Sequence, residues 1–229
     1  MKIRLLRYAL PATSLLAVAG VAVAHGVAER DAAWLEQHAG QALVIFGYLG
    51  AKHMVTGYDH LLYLLGVIFF LRRPRDIALY VTLFAAGHSL TLLGGVLGDI
   101  RLDPRLVDAV IGLSVAYKAF ENLDGFRLTI GWQPDPRIAV FAFGLVHGFG
   151  LATKLQRLTL SSEGLVWNIV AFNVGVELGQ LLALAMMLFL ITAWRATGAY
   201  ATHARGFNAV LMFAGFLLTG YQLAAYWLA

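Results

Sequence analysis

Long apolar blocks alternate with short polar segments along most of this chain. A block of about twenty apolar residues is long enough to cross the hydrocarbon core of a bilayer as a helix. We therefore predict membrane-spanning helices at about 56–71, 77–97, 104–122, 137–155, 164–194 and 206–228. Residues 39–71 are too long for one ordinary span and are interrupted by glycines, so we expect a short helix or re-entrant piece before the first span. The pattern predicts an all-α fold, a polytopic membrane helix bundle with six transmembrane helices after an N-terminal signal peptide.

The signal peptide is indicated by the pattern of the first 24 residues. Basic residues stand at positions 2, 4 and 7, an apolar core follows at 8–21, and Ala22-Val23-Ala24 matches the small-x-small cleavage pattern. We predict a signal peptide over 1–24 and a single transmembrane helical domain over 25–229. An uncleaved first helix is the alternative. A translocated N-terminus places the protein in the bacterial inner (cytoplasmic) membrane, with the mature N-terminus in the periplasm.

The charge distribution agrees with this orientation. Arg72, Arg73 and Arg75 directly follow the first span, where the positive-inside rule requires the cytoplasm. Only 13% of the residues are charged and 60% are hydrophobic, whereas about a quarter of the residues are charged in a soluble domain. Arginine-rich cytoplasmic loops account for the net charge of +4, so we expect the lipid bilayer as a partner and no nucleic acid.

Missing residues and motifs exclude several classes of protein. The chain contains no cysteine, which excludes disulfides, thiolate zinc sites, iron–sulfur clusters and cysteine nucleophiles. It contains no G-x-x-x-x-G-K-[ST] loop, so it is not an ATP-driven motor by itself. Ser89 follows His88, but the G-x-S-x-G and H-E-x-x-H motifs of serine and zinc proteases are absent. We therefore do not expect an enzyme of these kinds.

Ionisable side chains inside the predicted spans are the strongest functional signal, because they are costly in a bilayer and mark functional sites. We place the following residues in one layer in the outer half of the membrane and predict them as metal ligands: His53, Asp59, His60, His88, His147 and Glu177. Asn173, Gln180 and Ser89 are predicted to support them. Imidazole and carboxylate ligands suit a divalent first-row transition metal ion.

The histidines at the start of the first span form an H-x5-D-H element, from His53 to His60. Asp59 and His60 are adjacent and cannot share a helical face fully. In one arrangement His60 points to the metal and Asp59 orients either His60 or His53 through a hydrogen bond. His53 and His60 would share a face on a continuous helix, and a bend at Gly57 would instead let the backbone turn around the ion.

A second polar face lies on the predicted span at 104–122. Ser114, Lys118 and Glu121 are spaced by four and three residues near the cytoplasmic end of this span. The simpler interpretation is a Lys118–Glu121 ion pair with the lysine reaching towards the interface. The alternative is an inner exit station for an ion or a proton.

Four segments resemble the HupE/UreJ proteins, small bacterial membrane proteins associated with nickel supply to hydrogenase and urease. They are "HMVTGYDHLLYLLGV" at 53–67, "GHSLTLL" at 87–93, "GLVHGFGLA" at 144–152 and "FNVGVELGQ" at 172–180. The resemblance extends from about residue 45 to residue 228, and its most specific part is the H-x5-D-H element. It implies passive or gradient-driven permeation of nickel or cobalt, with the H-x5-D-H residues as metal ligands.

The chain departs from the nickel-type members in one motif. Those members have F-H-G-x-A-H-G-x-E, and this chain keeps Gly144, His147 and Gly148 but has Phe143 for the first histidine and Gly150 for the final glutamate. This pattern resembles the second branch of the family. A carboxylate from another helix, Glu177, could replace the missing glutamate.

The function predicted from these observations is an inner-membrane permease for a divalent transition-metal ion. Nickel is the first expectation, with cobalt or copper as alternatives. The runner-up is a membrane-embedded metalloenzyme in which Glu177 acts as a general base. A non-transporting metal-delivery or assembly partner is the third interpretation. A homo-oligomer or a partner in metalloenzyme maturation stays open.

Overall fold

The computed structural model describes residues 42–156 and 164–228. The predicted signal peptide at 1–24 and the start of the following domain lie outside the described residues, so what we expect of them stays a prediction. The described ranges consist of helices and their connecting turns and bends and contain no β-strand. The all-α fold class is therefore confirmed for this part of the chain.

The helices follow the predicted apolar blocks closely. They are α1 (Leu43–Thr56), α2 (Tyr58–Ile68), α3 (Pro74–Leu97), α4 (Pro104–Asn122), α5 (Gly125–Ile130), α6 (Pro136–Leu155), α7 (Leu165–Arg195) and α8 (Ala199–Trp227). α3, α4 and α6 begin with proline, whose missing N–H is not needed in a first helical turn. Asp103 and Asp135 cap α4 and α6 by accepting hydrogen bonds from the backbone N–H of Arg105 and Arg137.

The surface and the interior of the bundle have the polarity of a membrane protein. α3, α6, α7 and α8 are long and apolar enough to cross a membrane. Large apolar side chains such as Leu178 and Phe189 are exposed, whereas Lys118 and Glu121 are buried. A soluble protein buries such ionised groups only rarely. A count of six transmembrane helices also requires α4, and α1 with α2 as one broken span, and stays a prediction.

α1 and α2 together extend along α7. At one end the Ala42 backbone N–H donates to Asn168 Oδ1 at 2.8 Å. At the other end Arg195 Nη2 donates to the Phe69 carbonyl oxygen at 2.5 Å. The two segments therefore run parallel, with a break at Gly57. We call the end that carries Arg195 and the arginines at 72–75 the basic end.

This arrangement changes the expected depth of the H-x5-D-H element. We expected His53, Asp59 and His60 at the outer start of a span, but the structure places them midway between Ala42 and Phe69. The reason is that α1 packs along α7 and extends the segment on the side away from the basic end. The short helix expected before residue 56 is present as α1.

Two further helix pairs complete the bundle. α3 and α6 run parallel, and Thr91 Oγ1 of α3 donates to the Leu145 carbonyl oxygen of α6 at 2.6 Å. α4 and α8 run antiparallel, since Thr219 Oγ1 bonds the Ala109 carbonyl oxygen and Asn122 Nδ2 bonds Asn208 Oδ1. If α1 and α2 are counted as one segment, the long helices alternate in direction along the chain, and these three pairings agree with that alternation.

Candidate metal site

Four imidazole rings meet in the middle of the bundle. The ring centroid of His60 lies 5.2 Å from that of His53, 5.7 Å from that of His88 and 4.8 Å from that of His147. The rings come from α1, α2, α3 and α6, and those of His60, His88 and His147 are at most 3% exposed. We call these four residues the imidazole cluster. The structure thus brings together all four histidines that the sequence placed at one depth.

Asp59 orients His60 within the imidazole cluster. Asp59 Oδ1 lies 2.8 Å from His60 Nδ1 and also accepts the His60 backbone N–H at 2.9 Å. A carboxylate can only accept, so the His60 Nδ1–H donates and Nε2 keeps its lone pair. A carboxylate behind a metal-binding histidine is a common arrangement, because it fixes the tautomer and the orientation of the ring. This contact matches the arrangement in which Asp59 orients His60.

Ser114 of α4 orients His147 in a similar way. The Ser114 hydroxyl donates to the Ile111 carbonyl oxygen at 2.6 Å, and its oxygen lies 3.0 Å from His147 Nε2. Because the hydroxyl proton is already used, Ser114 Oγ accepts from His147 Nε2–H. The lone pair of His147 is therefore on Nδ1. The sequence marked Ser114 only as part of a polar face near a helix end and missed this role.

The unpaired ring nitrogens of the imidazole cluster fit a transition-metal ion. Nε2 of His53, His60 and His88 and Nδ1 of His147 are buried without a hydrogen-bond partner. Buried polar atoms are normally hydrogen-bonded, and an unpaired one requires an explanation. The two tautomers fixed by Asp59 and Ser114 both leave a lone pair on the unpaired nitrogen, which is the form of imidazole that binds metals.

In this conformation the four unpaired ring nitrogens are not arranged around one common position. No three His, Asp or Glu side chains within 42–156 and 164–228 have the geometry of a metal site. The rings contact one another edge to face, whereas a metal ion requires nitrogens at about 2.0–2.1 Å. The rings must therefore turn and separate for an ion to bind between them.

Aromatic residues close the imidazole cluster on the side of the basic end. The ring centroid of Tyr63 lies 5.2 Å from that of His147, and that of Phe84 lies 5.1 Å from it. Phe143 contacts Tyr63 at 5.7 Å and Tyr117 at 5.0 Å. Phe143 takes the place of a histidine in the motif of the nickel-type proteins, so here this position extends an apolar layer.

The other predicted site residues lie on the flank formed by α3 and α7. Glu177 is exposed, and its Oε1 accepts hydrogen bonds at 3.3 Å from Ser89 Oγ and from Asn173 Nδ2. Gln180 Nε2 donates to the Val81 carbonyl oxygen at 3.4 Å. Glu177 therefore has its hydrogen-bond partners outside the imidazole cluster, and its role as a ligand stays a prediction.

Gly150 stands where the nickel-type motif has its final glutamate. A Cβ atom there would lie 2.6 Å from Ile111 Cδ1 and 3.6 Å from Asp108 Oδ1. A larger side chain at this position would require the end of the Ile111 side chain to move. The carboxylate beside this position is Asp108, which pairs with Lys154 Nζ at 2.9 Å.

The comparisons with known proteins agree with the resemblance of the four segments. A family model described as HupE / UreJ protein matches residues 29–229. The comparisons with curated proteins and with solved structures found no match. The matched range covers every helix in the described residues and all the residues of the candidate metal site. The chain therefore belongs to the HupE/UreJ family.

Proposed function

We propose that this protein is an inner-membrane permease for a divalent transition-metal ion, with nickel as the first cargo to test and cobalt or copper as alternatives. The observation that carries the proposal is the imidazole cluster, with four buried ring nitrogens lacking a partner. The family to which the chain belongs is associated with nickel and cobalt, and this supports the choice of cargo.

The proposed topology has six crossings, with α1 and α2 as one broken span. The basic end faces the cytoplasm, as the positive-inside rule favours for the exposed Arg72, Arg73 and Arg75. The mature N-terminus is then periplasmic. A broken helix whose break lies beside the substrate site is a recurrent feature of membrane transporters.

A cation arriving from the periplasm would exchange its water for the imidazoles and leave towards the basic end. Imidazole without thiolate gives the intermediate affinity that conduction requires, since an ion must also be released. Polar side chains continue past the aromatic layer, at Lys118, Glu121, Asn122 and Asn208. This continuation favours a path through the membrane over a catalytic pocket.

The test is Ni²⁺ uptake into proteoliposomes that contain the purified full chain. We expect His60→Ala and His147→Ala to abolish uptake that the wild type shows. His203→Ala is the matched control, because His203 is exposed on α8 and its ring bonds only the nearby Ala199 carbonyl. Wild-type protein that binds Ni²⁺ in detergent but does not transport it would favour the metal-delivery alternative. Equal uptake by wild type and His60→Ala would overturn the proposal.

A further inference from the structure

α4 carries polar side chains on both sides of the imidazole cluster. Asp108, Ser114, Lys118 and Glu121 are all less than 9% exposed. Ser114 contacts His147 and so marks the level of the imidazole cluster. With a rise of 1.5 Å per residue, Asp108 lies about 9 Å from this level on one side and Glu121 about 10 Å on the other. One helix therefore presents a buried carboxylate above and below the candidate metal site.

Each carboxylate is paired with a lysine. Asp108 Oδ1 is 2.9 Å from Lys154 Nζ of α6, and Glu121 Oε1 is 2.8 Å from Lys118 Nζ of α4 itself. The side chains of both pairs are at most 16% exposed. By contrast, the Arg101–Asp99 pair is a surface contact with both side chains more than 60% exposed.

Packing alone does not explain two ion pairs inside a membrane bundle. Replacing a buried ion pair by apolar residues is often neutral or stabilising, because the cost of removing two charges from water is large. Ionised side chains within membrane helices are accordingly retained where they act on an ion or a substrate. The two pairs also lie in the interior, since the Lys118 stem packs against Gly66 of α2 and Asp108 faces Gly150 of α6.

A lysine beside a carboxylate has two effects on a passing cation. The ammonium group neutralises the carboxylate, which would otherwise attract the ion, and its own charge repels the ion. If the lysine turns away, a carboxylate remains that can replace water around the cation. The pair can therefore act as a closed gate whose opening exposes a binding group.

We propose that Asp108 and Glu121 are the outer and inner cation-binding groups of the path, and that Lys154 and Lys118 hold them closed in this conformation. The proposal rests on the proposed function, because it needs a cation that moves between the imidazole cluster and both faces of the membrane. It adds α4 as the helix that lines the path along its length.

The inner pair is tested by a cycle of variants in the full chain. We compare Glu121→Gln, Lys118→Met and the double variant Lys118→Met/Glu121→Gln for initial Ni²⁺ uptake into proteoliposomes. We expect Glu121→Gln to slow uptake by about tenfold or more, Lys118→Met to keep or increase it, and the double variant to be as slow as Glu121→Gln. Ni²⁺ affinity in detergent should change by less than about threefold in Glu121→Gln, because Glu121 lies about 10 Å along α4 from the level of the imidazole cluster.

A purely structural ion pair gives the opposite pattern. Each single variant would then leave one unpaired buried charge and impair folding, while the double variant would recover. Recovery of wild-type uptake in the double variant overturns the proposal, even if Lys118→Met does not fold. The same cycle on Asp108 and Lys154 tests the outer pair. Asp99→Asn is the matched control, since it removes an exposed carboxylate from a lysine-free pair.

These results separate the two proposals. If wild-type protein transports Ni²⁺ and His60→Ala does not, the permease stands. Wild-type rates for Glu121→Gln and Asp108→Asn would then refute only the gating pairs on α4. If wild-type protein itself does not transport, the permease fails first, and the pairs on α4 fail with it.

Discussion

Replacing Ser114 with alanine tests whether its hydroxyl fixes the proton position on His147. Ser114 Oγ donates to the Ile111 carbonyl oxygen and accepts from His147 Nε2 at 3.0 Å. Alanine removes this acceptor at a position with 0% exposure. Without this acceptor, the His147 tautomer that is protonated on Nε2 loses its stabilising hydrogen bond, and the proton can move to Nδ1. A ring protonated on Nδ1 offers no lone pair to the imidazole cluster.

The expected loss of Ni²⁺ affinity in Ser114→Ala follows from the lost hydrogen bond. An intramolecular hydrogen bond contributes about 0.5–1.5 kcal/mol, and leaving a buried donor unpaired costs about 1–3 kcal/mol. Loss of the partner behind a metal-binding histidine commonly lowers metal affinity by about 10–100-fold. We therefore expect Ser114→Ala to weaken Ni²⁺ binding by about tenfold, measured by calorimetry on the purified protein in detergent.

Ser89→Ala is the matched control for this measurement. Ser89 stands next to His88 in the sequence, but its hydroxyl bonds Glu177 on the flank of the bundle. It should therefore leave Ni²⁺ affinity unchanged. If Ser114→Ala binds Ni²⁺ as tightly as Ser89→Ala and the wild type, the hydroxyl does not orient a metal ligand, and the assigned tautomer is wrong.

Three further substitutions have clear expectations. Asp59→Asn keeps the shape but removes the charge behind His60, so Ni²⁺ affinity should fall by about tenfold, less than the complete loss expected for His60→Ala. Gly57→Ala is compatible with the local φ of −74°, but its Cβ would lie 2.9 Å from the His53 carbonyl oxygen and 3.2 Å from His60 Nδ1, so the backbone at the break must shift and titration should show weaker Ni²⁺ binding. Gly148→Ala would overlap the His88 carbonyl oxygen and should destabilise the protein by about 1–3 kcal/mol in a denaturation series.

Gly94→Ala is the control for both glycine variants. It lies on the same α3 helix as His88, and a Cβ there would have no neighbour within 4 Å. Alanine has a higher helix propensity than glycine, by about 1 kcal/mol, so this variant should be neutral or more stable. Unchanged stability of Gly148→Ala in the same assay would contradict the close approach of α3 and α6.

The apolar blocks were sufficient to predict the main helices and the class of fold. A run of apolar residues bounded by polar turns has few alternatives to a helix in a membrane protein. The sequence also named Asp59 as a partner of either His60 or His53, and the structure shows the contact with His60 Nδ1 at 2.8 Å. Hydropathy does not resolve a single span from a broken one, and for this reason the position of His53 and His60 between two helical segments, rather than at the start of one, was not predicted.

The depth of a residue along a helix does not determine whether its side chain points into the bundle or away from it. Asn173, Glu177 and Gln180 lie at neighbouring depths on α7, yet Asn173 and Gln180 are buried while Glu177 is exposed. The face that a helix turns to the bundle depends on its packing against other helices. The contact of Ser114 with His147 likewise joins α4 to α6 and depends on how those two helices meet. Neither feature has a signal in a single sequence.

Glycines in the spans connect helix packing with the geometry of the candidate site. Gly144 lies about one turn before His147 on α6, and Gly148 directly follows it. Both glycines face the backbone of α3, at Phe84 and His88. Small residues of this kind let membrane helices approach closely. Here the same approach sets the height and the direction of His147 relative to His88. A side chain at Gly148 would separate the helices and would also move His147 away from His60. Metal affinity should therefore fall together with stability in Gly148→Ala.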